Sequence, residues 1–373
     1  MKLNPKELKR YSRHLKLPSF GKEGQLKLKK AKVLVIGAGG LGAPLLQYLT
    51  AAGVGTIGLV DFDVVDESNL QRQVLFSSND IGKQKTTIAL SKLKLQNPNI
   101  EFKEFKTQLT SQNALEIIKD FDVVADGSDN FPTRYLVNDA CLILGKTNVY
   151  ASIFQFEGQV SVFNAQTKEG RGPNYRDLFP KPPPPGMVPN CSEGGVLGVL
   201  PGIIGSIQAA EVIKIIAEIG SPLIGKLFVF DVLNFTTRKI NIEKSFDTKL
   251  VKKLIDYEEF CGLQNSNAVS LISVDELKMM KDENLDFILI DVREPAEFES
   301  ANLSGVLIPK DLIEENLNEI PRDKKVVLYC KSGVRSLTTI LLLQEKYGYK
   351  NLINLDGGIL AWKNTFNPEM VVI

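Results

Sequence analysis

The stretch AKVLVIGAGGLG, residues 31–42, decides the fold of the first part of the chain. Its apolar run AKVLVIG has the length of a fully buried β-strand. Gly37, Gly39 and Gly42 follow with the spacing G-x-G-x-x-G, and the next residues, LGAPLLQYLTAAG, are typical of a helix. In such a unit the first glycine makes the turn, the second lets backbone approach a phosphate, and the third lets helix and strand pack closely. The stretch predicts nucleotide binding, with a plain tight turn as the alternative.

Length and composition are those of a soluble globular protein. The 373 residues are too many for one ordinary core and predict about two domains. Lys+Arg 45 against Asp+Glu 44 leaves a net charge of +1, which argues against a nucleic-acid or membrane-surface binder. The charged N-terminus lacks an apolar signal core, and no apolar run looks long enough to cross a bilayer. We therefore expect a cytoplasmic protein.

The cysteines and the single histidine restrict the chemistry. Cys141, Cys191, Cys261 and Cys330 form no C-x-x-C pair, so they predict no disulfide framework and fit a reducing compartment. Cys141 lies among the apolar residues NDACLILG and is expected to be inert core. With His14 as the one histidine, a histidine base or a histidine-rich metal site is not expected.

The order of strands and helices predicts a doubly wound α/β sheet. After short basic helices over 1–30, strands are expected at 55–63, 100–105, 121–129 and 147–153, alternating with helices at 81–95, 111–119 and 131–144. Such a sheet is mostly parallel and binds ligands at the carboxyl ends of its strands. Antiparallel strands are expected at 158–164, 226–234 and 237–243, and a helix at 203–219. The proline-rich stretch 181–190 predicts an exposed loop leading to Cys191.

Charged and amide side chains follow the strands of this sheet. Asp61 ends the second strand, where a carboxylate can accept hydrogen bonds from a ribose. Arg72 comes shortly after it on a loop, and Lys85 precedes a helix; both suit phosphate. Asp129 and Asn130 end another strand, where a carboxylate can hold Mg²⁺. Each alone would more often be solvated or structurally paired. Together, after a phosphate loop, they favour triphosphate chemistry.

Several motifs in order resemble the ThiF/MoeB family of ubiquitin-activating-like adenylyltransferases. They are YSRH, GAGGLG, VDFD, SNLQRQ, KQKT and DGSDN, and the similarity covers about residues 8–242. The resemblance implies a Rossmann-like fold and MgATP-dependent adenylylation of the C-terminal glycine of a small ubiquitin-like sulfur carrier ending in Gly-Gly. The residues expected at the ATP site are Gly37, Gly39, Gly40, Gly42, Asp61, Asp63, Ser68, Asn69, Gln71, Arg72, Lys85, Asp129 and Asn130.

The resemblance also assigns roles in catalysis and assembly. Arg72, Lys85 and Asp129 would be catalytic, with Asp129 as the Mg²⁺ ligand. Arg13 of YSRH matches an arginine that, in this family, reaches the ATP phosphates of the neighbouring subunit, which implies a homodimer. The family's crossover loop matches PPPPGMVPNCSEGGVLG, and its cysteine links covalently to the carrier in related enzymes. A covalent role for Cys191 is therefore expected, with a merely exposed thiol as the alternative.

The chain departs from the family where many members hold a structural zinc with two C-x-x-C pairs. Asn174 and Asp177 stand where the first pair should fall, and Glu258 replaces a cysteine of the second, leaving Cys261. Structural zinc sites use four thiolate or imidazole ligands. We therefore do not expect zinc. How the crossover loop is anchored without it is left open.

The C-terminal residues 270–373 resemble a rhodanese, through DVREPAEFESANLSGVLIP, YCKSGVRS and LDGGILAW. Cys330 follows a strand and opens a loop into a helix, so backbone N–H groups, the helix N-terminus and Arg335 would all favour a thiolate. Only four residues separate Cys330 from Arg335, whereas the phosphatase pattern has five. This shorter loop favours a persulfide over a phosphate. Ala301, Asn302 and Leu303 replace the usual glycine-histidine-hydrophobic step.

We therefore expect an α/β chain with a ThiF/MoeB-type adenylyltransferase domain over 1–244, a linker over 245–269 and a rhodanese-like domain over 270–373. Cys330 would carry sulfur from a persulfide or thiosulfate donor and, with Cys191, convert the adenylylated carrier into a thiocarboxylate. Molybdopterin synthesis is the first choice of pathway, and thiamine synthesis or tRNA thiolation are alternatives. A nicotinamide oxidoreductase and a rhodanese domain that only docks a partner are the competing functions.

Overall fold

The computed structural model describes residues 2–183, 194–262 and 269–373 and divides into two compact units. The first comprises the described residues up to Pro182 and from 194 to Phe260, and the second those from Cys261 onward. Residues 245–260 thus belong to the first unit, where the sequence predicts a linker over 245–269. The predicted proline-rich loop lies mostly outside the described residues, and Cys191 lies outside them altogether.

The first unit is an α/β fold. Its strands are β1 Lys32–Ile36, β2 Thr56–Val60, β3 Glu101–Phe105, β4 Val123–Asp126, β5 Thr147–Phe154, β6 Glu157–Phe163, β7 Gln166–Thr167, β8 Gly170–Arg171, β9 Lys226–Asp231 and β10 Thr236–Asn241. Its helices are α1 Pro5–Arg10, α2 Ser12–Leu15, α3 Gly21–Lys30, α4 Gly42–Ala52, α5 Lys85–Gln96, α6 Ala114–Ile118, α7 Phe131–Leu144, α8 Tyr175–Leu178, α9 Leu200–Ala217 and α10 Tyr257–Phe260.

Eight of these strands form one sheet in the order β10-β9-β6-β5-β4-β1-β2-β3. The five strands from β5 to β3 are parallel, and β6, β9 and β10 extend the sheet by antiparallel pairing. The predicted doubly wound sheet and its antiparallel extension are therefore confirmed. Strand order reverses at β1, which has β2 on one side and β4 on the other. Ligands of such sheets bind in the crevice at this point, beyond the carboxyl ends of the strands.

Two predicted helices are shorter than their sequence patterns, and the one expected over 111–119 covers only Ala114–Ile118. The helix expected over 81–95 begins only at Lys85, because the residues before it form a turn. Gly82 has a φ of +78°, and its N–H donates to the carbonyl of Val65, while the Val65 N–H donates to the carbonyl of Lys83. This pairing draws residues 82–83 against the segment after β2. It fixes where α5 starts, and so places Lys85 at the edge of the sheet.

Helix α9 is the apolar helix of the core. Its 18 residues have a mean hydropathy of 1.5, so length and composition alone would let it cross a membrane, and the expectation that no such run exists is wrong. Half of the helix is buried in the unit, where Leu200, Ile204 and Val212 join the hydrophobic core. The buried Gln208 donates its side-chain N–H groups to the carbonyls of Asp126 and Val149, both at 2.8 Å. These contacts fix α9 against β4 and β5.

The second unit contains a five-stranded sheet of order β11-β15-β14-β12-β13 in which all pairs are parallel. Its strands are β11 Ser270–Ile272, β12 Phe287–Asp291, β13 Val306–Leu307, β14 Lys325–Tyr329 and β15 Leu352–Leu355, and its helices are α11 Val274–Asp282, α12 Pro295–Ser300, α13 Val334–Tyr347 and α14 Gly358–Phe366. Cys330 directly follows β14, as predicted.

The contact between α9 and α4 gives a stability test. A Cβ at Gly205 would lie 2.4 Å from the carbonyl oxygen of Leu41 and 2.7 Å from Cγ of Pro44. We expect Gly205→Ala to lower the free energy of unfolding of the first unit by about 1–3 kcal/mol, the usual cost of overpacking a core. Differential scanning calorimetry measures the shift.

Gly202→Ala is the matched control on the same helix. Nothing lies within 4 Å of the position of its Cβ, so alanine should be neutral or, through its helix propensity, stabilising by up to about 1 kcal/mol. Equal destabilisation by both substitutions would contradict the proposed contact.

Candidate nucleotide and sulfur sites

The glycine loop joins β1 to α4 through a backbone that other residues could not adopt. Gly37 has a φ of +88°, in the region that favours glycine. A Cβ at Gly42 would lie 2.0 Å from the carbonyl oxygen of Gly37, and one at Gly40 would lie 3.0 Å from Cβ of Pro201. At Gly39 a Cβ would meet only the side-chain nitrogen of Gln73, at 3.8 Å. Backbone conformation thus explains Gly37 and packing explains Gly40 and Gly42, whereas Gly39 opens the backbone to the cleft.

Asp61 connects the end of β2 to this loop. One carboxylate oxygen accepts a hydrogen bond from the N–H of Ala38 at 2.7 Å, and the other accepts from the N–H of Asp63 at 2.8 Å. Burial raises the pKa of Asp61 despite these bonds. The carboxylate therefore shapes the glycine loop. Its expected contact with a ribose stays a prediction.

Lys85 is held at the cleft by Asp63. Its ammonium nitrogen lies 2.9 Å from a carboxylate oxygen of Asp63, and its backbone N–H donates to the Asp63 carbonyl at 3.0 Å. Lys85 is only 5% exposed, whereas Asp63 remains exposed. The lysine thus has a fixed position at the start of α5.

Arg72 reaches the same cleft from a compact turn. Asp66 caps this turn by accepting hydrogen bonds from the N–H and hydroxyl of Ser68, and the Arg72 guanidinium donates to the carbonyl of Ser68 at 2.9 Å. Among the described residues, Ser68, Asn69 and Gln71 form or flank the turn and do not line the cleft. Arg72 is the member of the SNLQR motif that does.

The end of β4 contributes the acidic side of the cleft. Asp129 is exposed there, and Asn130 begins α7 by accepting a hydrogen bond from the N–H of Thr133 at 2.9 Å. One exposed carboxylate beside a space for phosphate oxygens fits Mg²⁺, which binds few protein ligands and keeps waters and phosphates. The donor set is therefore suitable for a magnesium ion held together with a nucleotide.

The structure brings together most of the expected nucleotide site. The cleft is lined by the predicted residues Gly37, Gly39, Gly40, Asp61, Asp63, Arg72, Lys85, Asp129 and Asn130. Gly42 lies one turn away in the packing contact with Gly37. Arg13 is exposed on α2 and does not line the cleft of its own chain.

Gln73, Arg134 and Glu258 also line the cleft, and the sequence reasoning missed all three. Gln73 is 4% exposed, and its side-chain oxygen has no hydrogen-bond partner within the described ranges. A buried polar atom left unpaired is costly unless a ligand or water satisfies it, so this one fits a polar occupant of the cleft. Gln73 could have been noticed as the residue after SNLQR, and Arg134 as one helical turn after Asn130. Glu258 gave no local signal.

Asn174 and Asp177, which stand where many members of the family have zinc ligands, make hydrogen bonds instead. Asn174 caps α8 by accepting from the N–H of Arg176, and one Asp177 oxygen accepts from the N–H of Asn174. The other Asp177 oxygen accepts from the N–H groups of Ser245 and Phe246 at 2.7 and 2.6 Å. In the described part of the chain, no group of three His, Cys, Asp or Glu side chains is placed to hold a metal ion.

A buried ion pair completes this junction. The Arg176 guanidinium donates to both carboxylate oxygens of Asp139 at 2.8 and 2.7 Å, and the Tyr257 hydroxyl donates to Asp139 at 2.8 Å. The guanidinium carbon lies 4.8 Å from the ring centre of Phe260 and 5.0 Å from that of Tyr135. We refer to Arg176, Asp139 and Tyr257 as the clasp, because they tie α8 and α10 to α7.

Cys330 lies in a cradle formed by its own loop. The thiol is fully buried, and the N–H of Gly333 points at its sulfur from 3.2 Å. Gly333 has a φ of +89° and directly precedes α13. The Ser336 hydroxyl lies 3.5 Å from the same sulfur and 2.6 Å from the side-chain oxygen of Asn354. These dipoles suit a thiolate or persulfide, as the motif predicts.

The charged groups beside this loop are paired. The two terminal nitrogens of Arg335 each donate to one oxygen of Glu297, both at 2.7 Å. Burial raises the pKa of Glu297, but the hydrogen bonds from Arg335 and from the Glu294 N–H, together with the charges of Arg335 and Arg293, outweigh it and hold that pKa below its usual value. Asp291 and Arg293 form a second ion pair, fully buried at the end of β12. The expected action of Arg335 on a thiolate stays a prediction.

The unusual step Ala301, Asn302 and Leu303 is part of the packing of this unit. The Ala301 carbonyl accepts from Arg293, and the N–H of Leu303 donates to the hydroxyl of Tyr329 at 3.0 Å. Cys141 of the first unit is buried, and burial raises the pKa of its thiol, in agreement with an inert core residue. The predicted role of Cys191 cannot be compared with a position, since that residue lies outside the described ranges.

Comparison with known proteins matches both units. The ThiF family model matches residues 11–251, and the rhodanese-like domain model matches residues 273–365. A probable adenylyltransferase/sulfurtransferase MoeZ of Mycobacterium tuberculosis is 48% identical over 378 residues, which cover 99% of this chain and 96% of the relative.

Two further matches cover less of the chain. A sulfur carrier protein adenylyltransferase of Thermus thermophilus is 51% identical over 271 residues, covering 71% of this chain and 100% of the relative. The crystal structure of E. coli MccB with MccA-N7isoASN superposes with a TM-score of 0.56 and 25% identity, over 64% of this chain and 72% of that one.

If the clasp stabilises this region without a metal, breaking it should destabilise the first unit, and a metal chelator should not. Asp139→Asn would leave the buried Arg176 without its counter-charge, and we expect a loss of about 3–5 kcal/mol in the free energy of unfolding of the first unit. Calorimetry with and without a strong zinc chelator measures the loss. We expect the chelator to leave the wild-type transition unchanged.

Glu116→Gln is the control, because it removes a carboxylate from an exposed pair with Lys119. Its transition should stay at the wild-type temperature, since exposed ion pairs contribute little. A transition of the wild type that falls on chelation would show that a metal, and not the clasp, holds this region.

Proposed function

The chain belongs to the ThiF family and carries a C-terminal rhodanese-like domain, and on this premise we propose that it activates and then thiolates a small ubiquitin-like sulfur carrier. It is an adenylyltransferase and sulfurtransferase of the type that its relatives represent. We assign the first activity to residues 1–260, since residues 245–260 belong to the first unit and Glu258 lines its cleft, and the second activity to residues 270–373. The finer statements below are our proposal.

One observation carries the adenylylation step. Arg72, Lys85 and Asp129 come from three separate segments and line one cleft at the reversal of strand order. We propose that this cleft binds ATP and the C-terminal glycine of the carrier. The glycine carboxylate attacks the α-phosphorus, the bond to the β-phosphate oxygen breaks, and pyrophosphate leaves with the electron pair. Such reactions depend mainly on positioning and on neutralising phosphate charge.

Each cleft residue has a proposed share in this step. Arg72 and Lys85 present fixed cations to the phosphates, and the open backbone at Gly39 lets the nucleotide approach the N-terminus of α4. Asp129 would hold Mg²⁺, with Asn130 beside it in the nucleotide site, and the bound ion would supply positive charge to the leaving pyrophosphate. The unpaired side-chain oxygen of Gln73 would accept a hydrogen bond from ATP or from the C-terminal segment of the carrier.

We propose that Cys330 supplies the sulfur. Its thiolate attacks the sulfane sulfur of a persulfide or thiosulfate, the donor's S–S bond breaks, and the donor leaves as a thiolate or sulfite. The Cys330 persulfide then attacks the carbonyl of the acyl-adenylate, and AMP leaves. A second thiol, for which we propose Cys191, breaks the remaining S–S bond by forming a disulfide with Cys330, and releases the carrier thiocarboxylate. A cellular dithiol restores both thiols.

Joining the two activities in one chain raises the effective concentration of the persulfide near the adenylate. We propose molybdopterin synthesis as the pathway, with thiamine synthesis and tRNA thiolation as alternatives. Mass-spectrometric identification of the Gly-Gly protein that co-purifies with the chain distinguishes them. The competing function, in which the rhodanese-like domain only docks a partner, is tested through Cys330 below.

The position of Arg13 supports a homodimer with shared sites. Arg13 is exposed and does not line the cleft of its own chain. We propose that it completes the cleft of a second copy. Arg13→Ala and Asp129→Ala should then each abolish carrier-dependent exchange of labelled pyrophosphate into ATP. Mixing and re-equilibrating the two variants should restore part of the exchange, because one site of each mixed dimer is intact.

Asp120→Asn is the control for charge, since it lies before β4, at the other end of the strand from Asp129, and should keep full exchange. A monomer with full activity, or mixed variants that stay inactive although they form mixed dimers, would refute the shared site. Full pyrophosphate exchange by Asp129→Ala alone would refute the assignment of Asp129 as the metal ligand.

The sulfur step has its own test. Cys330→Ala should still form acyl-adenylate, because the adenylylation cleft is intact, but should yield no thiocarboxylate from a sulfane donor. Replacing the terminal oxygen by sulfur adds about 16 mass units to the carrier, and intact-mass analysis detects this product of nucleophilic sulfur transfer. Cys141→Ala, which removes a buried thiol away from both sites, should keep the product. If Cys330→Ala gave as much thiocarboxylate as the wild type, the rhodanese-like domain would not be the sulfur donor, and the competing function, in which it only docks a partner, would be favoured.

A further inference from the structure

Arg335, which belongs to the loop that begins at Cys330, is held in an ion pair by Glu297. Both terminal nitrogens of Arg335 are bound to the two Glu297 oxygens at 2.7 Å, the fork-to-fork arrangement of the strongest arginine–carboxylate pairs. The two side chains are only 18% and 17% exposed, so water screens the pair weakly. Arg335 is therefore already engaged by an anion when a sulfur donor arrives.

The position of Glu297 is fixed by its own helix. Glu297 is the third residue of α12, and one of its oxygens also accepts the N–H of Glu294 at 3.2 Å. The positive charge of Arg293 favours the same ionised form. The carboxylate is thus held from two directions and stays charged at neutral pH.

The loop has one other cation, Lys331, whose single ammonium cannot form the two-pronged contact that an arginine makes with an anion. Residues 330–336, CKSGVRS, contain two cations, Lys331 and Arg335. With Arg335 neutralised by Glu297, the loop offers the incoming donor the Gly333 N–H and the ammonium of Lys331, since the Ser336 hydroxyl donates to Asn354 at 2.6 Å. This set suits one negative charge on a sulfur atom better than the two charges of a small dianion.

We propose that Glu297 sets the donor specificity of the Cys330 site, by holding Arg335 so that small dianionic sulfane donors of the thiosulfate class bind weakly and persulfides carried on a thiol are preferred. This inference rests on the proposed function, in which Cys330 accepts the sulfur. Glu297 is a specificity-determining residue that acts through Arg335.

The chemistry is the same for both donor classes, so the preference lies in binding. With thiosulfate, the Cys330 thiolate forms a bond to the outer sulfur, the S–S bond of thiosulfate breaks, and sulfite leaves with the electron pair. With a persulfide, the leaving group is a thiolate. A dianion that binds through Arg335 must first separate two charge-assisted hydrogen bonds, whereas a persulfide, which carries at most one charge at its reacting sulfur atoms, does not need that guanidinium.

The test compares donors in the full-length protein. Thiosulfate and glutathione persulfide are each used to load Cys330, and the initial rates give kcat and KM for wild type and Glu297→Gln. We expect Glu297→Gln to lower the KM for thiosulfate by about tenfold, the scale of one charge-assisted hydrogen bond, because Arg335 becomes available to the dianion. The KM for glutathione persulfide should change by less than about twofold, a small free energy.

Glu299→Gln is the matched control, since Glu299 is exposed on the same short helix and carries the same charge. It should leave both KM values unchanged. Glu297→Asp, with a shorter carboxylate, should give an intermediate KM for thiosulfate and decides the question where Glu297→Gln is poorly folded.

Two outcomes overturn the inference. One is a KM for thiosulfate that stays at the wild-type value in both Glu297 variants. The other is an equal loss of kcat with both donors that Glu297→Asp restores, which would mark Glu297 as a support of the loop alone. Failure of the wild type to load Cys330 from either donor would instead refute the proposed function.

Discussion

The cleft of the first unit depends on one close contact, between the backbone of Gly37 and the first residue of α4. A side chain at Gly42 would place its Cβ 2.0 Å from the Gly37 carbonyl oxygen, so α4 can begin directly above β1 only because Gly42 has none. Asp61 then binds the turn from the neighbouring strand. The N-terminus of α4 and the carboxyl ends of β1, β2 and β4 consequently face the same space, and the charged residues gather there.

Sequence could predict the parts of this cleft that follow strands, because the carboxyl ends of parallel strands must meet at one edge. Asp61, Asp129 and the glycine turn belong to this class, and Cys330 does so in the second unit. Ser68, Asn69 and Gln71 were assigned by motif alone, and the motif does not separate residues that build the turn from Arg72, which reaches the cleft. Glu258 was unpredictable as a cleft residue, since it follows β4 by some 130 positions and arrives only through tertiary packing.

The same tertiary packing explains what holds the chain where many members of the family have a structural zinc. The sequence lacks the thiolate ligands, but it does not reveal which interactions hold the chain together in their place. Asp177 accepts two backbone N–H groups from residues 245–246, and the clasp buries Arg176 between a carboxylate and aromatic rings. A buried arginine is acceptable only with its partners in place. Residues 245–260, which look like part of a linker by composition, therefore belong to the first unit, and they bring Glu258 to the cleft.

The two units use the same architecture but treat one arginine each in opposite ways, whereas Lys85 of the first unit is paired with a carboxylate, as Arg335 is. In each, a parallel strand ends at a tight turn with positive φ, and a helix N-terminus faces the site. In the first unit the Arg72 guanidinium donates to a backbone carbonyl, a neutral acceptor, so its charge remains for a polyanion. In the second, Arg335 donates to a carboxylate, and its charge is already balanced. Under the proposal for Glu297, this balance disfavours oxyanions at a strand end that would otherwise attract phosphate and sulfate alike.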